Sequence, residues 1–342
     1  MFQVTLTADF YDANGNPKYA DLGLDSLKNR SNIQVNSFSE HRKEITPDQI
    51  AASNALLVLT PSVTRQTVSS ADNLLAIARF GVGYDSVDVP ACTAANVAVC
   101  ITTGAVDRPV AEAVVGWMIS LSHNVLIKDR LVRQGLWDQR SNHMGSELRN
   151  RTLGLIGAGG IARKLVSLLS NWDMNPPLAF DPFLKPETAK QLGIELVPLD
   201  TLLSQSDFVS IHCPLTDQTR NLIGPRELSL MKPTAYLINS ARGGIIHEDS
   251  LYTALKEKRI AGAALDCFTT EPVTTPSRFA DLENVLLAPH SIAWTNELFR
   301  DIGRTASQSL LDLTQHKPPH GLLNPELLSS PAFQEKWKRL CL

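Results

Sequence analysis

Three side chains with complementary chemistry stand far apart in the sequence: Arg242, Glu271 and His290. Moving hydride between a hydroxyl carbon and a nicotinamide ring requires a partner for the hydroxyl proton, and histidine titrates nearest neutrality. A carboxylate such as Glu271 would fix the imidazole tautomer and stabilise its charged form. The planar fork of Arg242 suits a carboxylate and a polarised carbonyl together. Taken singly, each residue has a plainer reading: a core or capped histidine, or an arginine–glutamate pair at the surface. Their positions in the chain argue against three coincidences. His290 closes Asn284-Val-Leu-Leu-Ala-Pro-His290, Arg242 follows Thr234-Ala-Tyr-Leu-Ile-Asn-Ser-Ala, and Glu271 follows Ile260-Ala-Gly-Ala-Ala-Leu-Asp266. Each reads as a strand with polar residues at its carboxyl end. In an open parallel sheet that end is where ligands bind. Asp181, His212 and Asp266 also close such strands, so Asp181, His212, Arg242, Asp266 and His290 are expected to line one crevice.

A second signal says what lies in that crevice. Thr152-Leu-Gly-Leu-Ile-Gly157-Ala-Gly159-Gly160-Ile-Ala162 passes from an apolar run through a glycine turn into a helical pattern. The chain then climbs through Pro177-Leu-Ala-Phe to Asp181. Strand, glycine turn, helix, strand and acid, with the acid roughly 20 residues on, is the order of a dinucleotide site. Gly157 allows the tight turn, and Gly159 lets the backbone approach a pyrophosphate. Ala162 allows the helix to pack closely, and the helix N-terminus offers N–H groups to phosphate. A carboxylate at Asp181 accepts the ribose hydroxyls and repels a 2′-phosphate, which argues for NAD over NADP. Its plainer reading is a helix cap before Pro182.

These elements belong to a chain of 342 residues, about two domains long. Before the glycine turn, Met1 to about residue 102 alternates strand-like runs with short helical ones, a small parallel α/β unit. A long helical pattern then runs from Val106 to about Arg133, with apolar residues surrounding it broadly. The tail is helical from Thr295 to about Gln315. Apolar residues make up 43% and charged residues 20%, a globular composition, and the net charge of -3 with no basic cluster argues against a nucleic-acid surface. No apolar run reaches the length of a membrane span. Five cysteines without pairing or metal-ligand spacing read as reduced thiols in the cytoplasm, and no metal site is expected.

The ordered motifs resemble the D-isomer-specific 2-hydroxyacid dehydrogenases, from about Ala78 to Glu297. They are Arg79-Phe-Gly-Val-Gly-Tyr-Asp85, Val110-Ala-Glu112, the glycine turn, His212-Cys-Pro-Leu-Thr216, Ile238-Asn-Ser-Ala-Arg-Gly-Gly244, Leu265-Asp-Cys-Phe-Thr-Thr-Glu-Pro272 and Pro289-His290. The resemblance implies a doubly wound Rossmann-type NAD-binding domain over residues 103–293. It also implies a discontinuous, flavodoxin-like substrate domain over 1–102 and 294–342. It implies His290 as acid/base paired with Glu271, and Arg242 as the substrate-binding cation. Asp266 would contact the nicotinamide amide. Gly157, Gly159, Gly160, Ile161, Asp181, His212, Cys213, Pro214, Thr219, Ser240, Ala241, Arg242 and His290 would surround the cofactor. Val82 and Gly83 would offer N–H groups to the substrate carboxylate. A homodimer through the long helix is the family habit.

The position that often carries arginine in the glycine turn is Gly160 here, and Ala162 replaces the last glycine. Arg108 is a candidate second cation for a larger or more acidic substrate, or else a salt bridge at a helix start. The reading is an NAD-dependent oxidoreductase acting on a D-2-hydroxy acid or its 2-keto acid. A non-catalytic NAD-sensing regulator, like the C-terminal-binding-protein corepressors of this fold, is the alternative. Formate dehydrogenase is disfavoured by Glu271, since that enzyme pairs its histidine with glutamine.

Overall fold

The computed structural model describes residues 1–341 and divides into two compact units, Met1–Val106 with Trp294 onward, and Asp107–Ala293. The first unit is built on five parallel strands: β1 (Phe2–Leu6), β2 (Ile33–Ser37), β3 (Ala55–Val58), β4 (Ala76–Arg79) and β5 (Ala98–Cys100). Their order is β2-β1-β3-β4-β5, a flavodoxin-like sheet. β3 is buried at every residue and β4 at all but its last, as continuous apolar strands covered on both faces must be. The helix Asn296–Thr314 packs on this unit, and its approach is close because Gly303 has no side chain: a Cβ there would collide with the Leu22 carbonyl. In the proline- and leucine-bearing segment beyond it, Pro331–Leu340 is a further helix. Its Ser330 cap accepts the Phe333 N–H, and Trp337 Nε1 donates to the Leu313 carbonyl at 2.6 Å.

The second unit holds seven parallel strands: β6 (Leu153–Ile156), β7 (Leu178–Phe180), β8 (Glu195–Leu196), β9 (Phe208–Ile211), β10 (Tyr236–Asn239), β11 (Gly262–Leu265) and β12 (Val285–Leu287). Their order, β12-β11-β10-β9-β6-β7-β8, is the doubly wound one, reversing between β6 and β9. One face is covered by the helices Asp107–Ser122 and Gly160–Leu168, through Ala111, Val114, Met118, Ala162 and Leu165. Leu202, Leu228, Leu251 and Ala254 cover the other from three shorter helices. The glycine turn thus follows β6 directly beside the reversal, where a doubly wound sheet opens its crevice.

The long helical pattern after Val106 is two helices, not one. Asp107–Ser122 and Val125–Arg133 meet at a 60° bend. Asn124 takes the left-handed conformation (φ 54°) between them, which asparagine tolerates better than most residues. Its side-chain amide donates to the Met144 carbonyl at 3.1 Å, which ties the bend to the following segment. Hydrophobic periodicity continues through the break and so conceals it. Among the described residues no single helix is long and apolar enough to cross a membrane.

Candidate active site

β10, β11 and β12 lie side by side and in parallel, so Arg242, Glu271 and His290 emerge from neighbouring loops at one end of the sheet. His290 Nδ1 and Glu271 Oε2 are 2.7 Å apart. The other carboxylate oxygen, Oε1, accepts the Phe268 N–H at 2.8 Å, so Glu271 is held at both oxygens. Burial alone would push the Glu271 carboxyl up. The His290 contact, the Phe268 N–H and the charges of His290 and Arg242 outweigh it and hold the group below its ordinary range. The glutamate is therefore an anion facing the imidazole.

His290 has a left-handed backbone (φ 54°), a conformation that costs a non-glycine residue energy and persists where neighbours enforce it. The neighbour is Asp266. Its carbonyl accepts the His290 N–H at 2.8 Å, and its carboxylate accepts the N–H groups of Ser291 (2.8 Å) and Ile292 (3.2 Å). Burial raises the Asp266 carboxyl, and these N–H donors oppose the rise. Asp266 therefore anchors the histidine loop, an arrangement that its position at a strand end does not reveal.

Arg242 is set by a different brace. Buried Asn239 accepts the Ala241 N–H at 3.0 Å and donates to the Arg242 carbonyl at 2.8 Å, closing the turn after β10. Gly243 follows, and a Cβ there would collide with the Phe268 carbonyl and lie 2.6 Å from the Thr269 nitrogen. The missing side chain lets the arginine turn pack on the turn that carries Glu271. The sequence marks Gly243 as part of a glycine-rich turn but not as this contact.

At the glycine turn, Gly157 has φ +89° and its Cα faces the His212–Cys213 peptide, which a Cβ would meet at 2.9 Å. Two of the proposed cofactor-lining segments therefore touch. Gly159 faces open space, and the helix Gly160–Leu168 begins without a side-chain cap, so its first N–H groups are presented outward. Ser240 Oγ is buried without a hydrogen-bond partner. An uncapped helix start beside a bare glycine and an orphaned hydroxyl fit a dinucleotide with its pyrophosphate at the turn. Asp181 ends β7 and accepts the Ala158 N–H at 2.8 Å on one oxygen. The other oxygen accepts Phe183 (2.8 Å) and Leu184 (3.1 Å). His212 pairs with Ser210 Oγ at 2.8 Å, and desolvation lowers its pKa to about 4, so the imidazole is neutral. Burial pushes the Cys213 thiol up to about 11. Thr219 Oγ1 donates to the Pro214 carbonyl at 2.6 Å and accepts the Thr216 N–H, bracing the loop after β9.

Arg108 lies on the exposed start of the Asp107–Ser122 helix and pairs with Glu112 at 2.7 Å, four residues on. Val82 and Gly83 belong to the first unit, in the loop after β4. Sequence reasoning missed Asp107, whose carboxylate occupies the space where a Gly160 side chain would stand.

Residues 115–291 match the family model for the NAD-binding domain of D-isomer-specific 2-hydroxyacid dehydrogenases. A glyoxylate reductase of Korarchaeum cryptofilum is 34% identical over 85% of this chain and 90% of its own length. A D-3-phosphoglycerate dehydrogenase of Archaeoglobus fulgidus is 35% identical over 80% of this chain, which spans about half of that longer protein (51%). Among solved structures, a glyoxylate reductase from Paecilomyes thermophila superposes with a TM-score of 0.80 at 25% identity, covering 95% of this chain and 99% of that one. An acyclic imino acid reductase in complex with NADPH and D-Arg gives 0.83 at 24% identity over 94% of this chain and all of its own, a likeness of fold. The fold and site thus define a nicotinamide-dependent oxidoreductase of the two-domain α/β type. The chain belongs to the D-isomer-specific 2-hydroxyacid dehydrogenase family.

Proposed function

We propose that the protein reduces a small 2-keto acid to its D-2-hydroxy acid, and catalyses the reverse oxidation, with His290 as the acid/base. The observation that carries this reading is the 2.7 Å contact between His290 Nδ1 and Glu271 Oε2. Bound nicotinamide supplies or accepts the hydride. The imidazole, with Nδ1 held by an anion, is left with Nε2 to give a proton to the carbonyl oxygen of the keto acid, and Glu271 stabilises its charged form. Arg242 would hold the substrate carboxylate and polarise the carbonyl. Asp266 keeps the histidine loop in place and would face the nicotinamide amide. Arg108 is engaged with Glu112, so its part in substrate binding requires release from that pair.

NAD is the preferred cofactor in this reading, because the Asp181 carboxylate at the end of the second strand would repel a 2′-phosphate. The NADPH complex of the imino acid reductase makes that preference worth measuring rather than assuming. A homodimer is proposed on Val132 (63% exposed), Trp137 (61%) and Met144 (80%), apolar side chains carried by the segments after the 60° bend. Free cysteines suit a cytoplasmic location.

The test is NADH oxidation with glyoxylate, hydroxypyruvate, pyruvate, 2-ketogluconate and phosphohydroxypyruvate, for the wild type and for His290→Ala. Turnover with one of them, lost by on the order of a hundredfold or more in the variant while NADH still binds, supports the assignment. Turnover retained in His290→Ala ends it.

A further inference from the structure

Cys267 Sγ, a Glu271 carboxylate oxygen and a His290 ring nitrogen lie within 4.8 Å of one another. They come from two adjacent loops, Cys267 and Glu271 after β11 and His290 after β12, and no sequence spacing announces them. We propose that these three residues form a binding site for a thiophilic divalent cation of the zinc class. Tetrahedral zinc takes sulfur at about 2.3 Å and imidazole nitrogen or carboxylate oxygen at about 2.0–2.2 Å, so its ligand atoms stand roughly 3.3–3.8 Å apart. The 2.7 Å His290–Glu271 contact would open by roughly 0.6 Å or more to admit the ion, and Cys267 would complete the protein ligands. The thiol Sγ lies within 4.8 Å of both partners and donates to the Ala241 carbonyl at 3.5 Å. Cys267 is 3% exposed, whereas the imidazole and the carboxylate are 44% and 33% exposed, so the ion has an open side for entry and for a water as fourth ligand. Thiolate, imidazole and carboxylate together favour zinc over magnesium or calcium, which prefer oxygen alone.

Coordination replaces protons with metal: the thiol proton passes to solvent, and the proton between Nδ1 and Oε2 moves by way of solvent to Nε2, as the Zn–S, Zn–N and Zn–O bonds form. An imidazole bound to a dication at Nδ1 keeps its one proton on Nε2 and cannot give it to a carbonyl as an imidazolium does. The ion therefore blocks proton transfer at His290, a consequence that rests on the acid/base reading above. Binding itself does not rest on it.

The test uses the full chain and Co²⁺ as a spectroscopic stand-in for zinc. Co²⁺ is expected to give a thiolate-to-cobalt charge-transfer band that Zn²⁺ removes, with a Kd on the order of micromolar. The band is expected to vanish in Cys267→Ser and in Cys267→Val, and to persist in Cys213→Ala. In parallel, free Zn²⁺ at about ten times that Kd should lower keto-acid reduction roughly tenfold in the wild type and leave Cys267→Val unaffected. No band in the wild type, or a band that survives both Cys267 substitutions, overturns the proposal. A Cys267-dependent band with undiminished turnover upholds the site and removes the acid/base reading instead.

Discussion

The Asp181 carboxylate accepts the Ala158 backbone N–H at 2.8 Å, so the acid that ends β7 also holds the glycine turn that follows β6. Its second oxygen is shared by the Phe183 and Leu184 N–H groups. The residue expected to choose between NAD and NADP thus fixes the loop expected to receive the pyrophosphate of either. Replacing it acts on both. Asp181→Ser is expected to raise the NADPH-to-NADH ratio of kcat/KM by about tenfold, through loss of repulsion. It should also weaken NADH binding, because Ala158 loses its acceptor. Fluorescence titration with both cofactors checks this. A variant whose ratio does not move would remove Asp181 from cofactor choice, whereas an unchanged Kd for NADH would remove only its hold on the loop.

Glu271 and His290 make a prediction about pH. The Glu271 carboxyl is held below its ordinary range, so it is an anion at neutral pH. Glu271→Gln keeps the shape and a hydrogen-bonding oxygen but removes the anion that favours the imidazolium. In the variant kcat of the reduction direction, which uses the protonated imidazole, should fall by about one to two orders of magnitude. The oxidation direction should suffer less. Profiles of both directions that coincide with the wild type would show that Glu271 does not tune His290. The same lowered carboxyl implies a stability contribution present above the ordinary carboxylate range and lost as acid protonates Glu271. The wild type is therefore expected to lose more thermal stability than Glu271→Gln on acidification.

The sheets and the crevice were legible because their signals are local. Apolar runs ending in polar residues name strands and their carboxyl ends, and a glycine turn opening a helix names the phosphate site. What stayed hidden is carried by backbone approach between segments distant in sequence. Nothing before Asn124 announces a 60° bend, since both helices keep the same apolar period. Asp266 reads as a strand-end acid, while its role as the anchor of residues 290–292 depends on a neighbouring strand. The helix Pro331–Leu340 was obscured by prolines around it, one of which sits at its start, where proline is tolerated.

Gly243 tests whether backbone approach controls the arginine. Any side chain there meets the Phe268–Thr269 backbone, which cannot retreat without moving Glu271, four residues from Cys267 and hydrogen-bonded to Phe268. Gly243→Ala should separate the turns that carry Arg242 and Glu271. We expect kcat/KM for the keto acid to fall by on the order of a hundredfold, mostly through misplacement of reacting groups. NADH affinity should change by less than about threefold, since the glycine turn at Gly157 lies on other strands. Equal losses in NADH affinity and turnover would instead indicate general unfolding, which circular dichroism would register.

Asp107 and Gly160 stand side by side at the start of the helix that follows the glycine turn. The Asp107 carboxylate fills the space beside Gly160, at the start of the helix whose N–H groups face the phosphate position. Burial raises the Asp107 carboxyl, and the nearby Lys164 only partly opposes it. A carboxyl raised in the folded chain binds its proton more tightly there than in the unfolded chain. Stability is then greatest below the ordinary value of about 3.9 and declines as pH climbs through the raised one. Ionised Asp107 at neutral pH is thus a cost to the fold and, facing a pyrophosphate, a repulsion. Asp107→Asn is expected to raise the melting temperature at about pH 7 but not near pH 3.5. It should tighten ADP-ribose binding roughly two- to fivefold while leaving adenosine, which carries no pyrophosphate, unchanged. Calorimetric titration of the two ligands decides it: equal tightening of both, or of neither, would show that Asp107 does not act on the phosphate position.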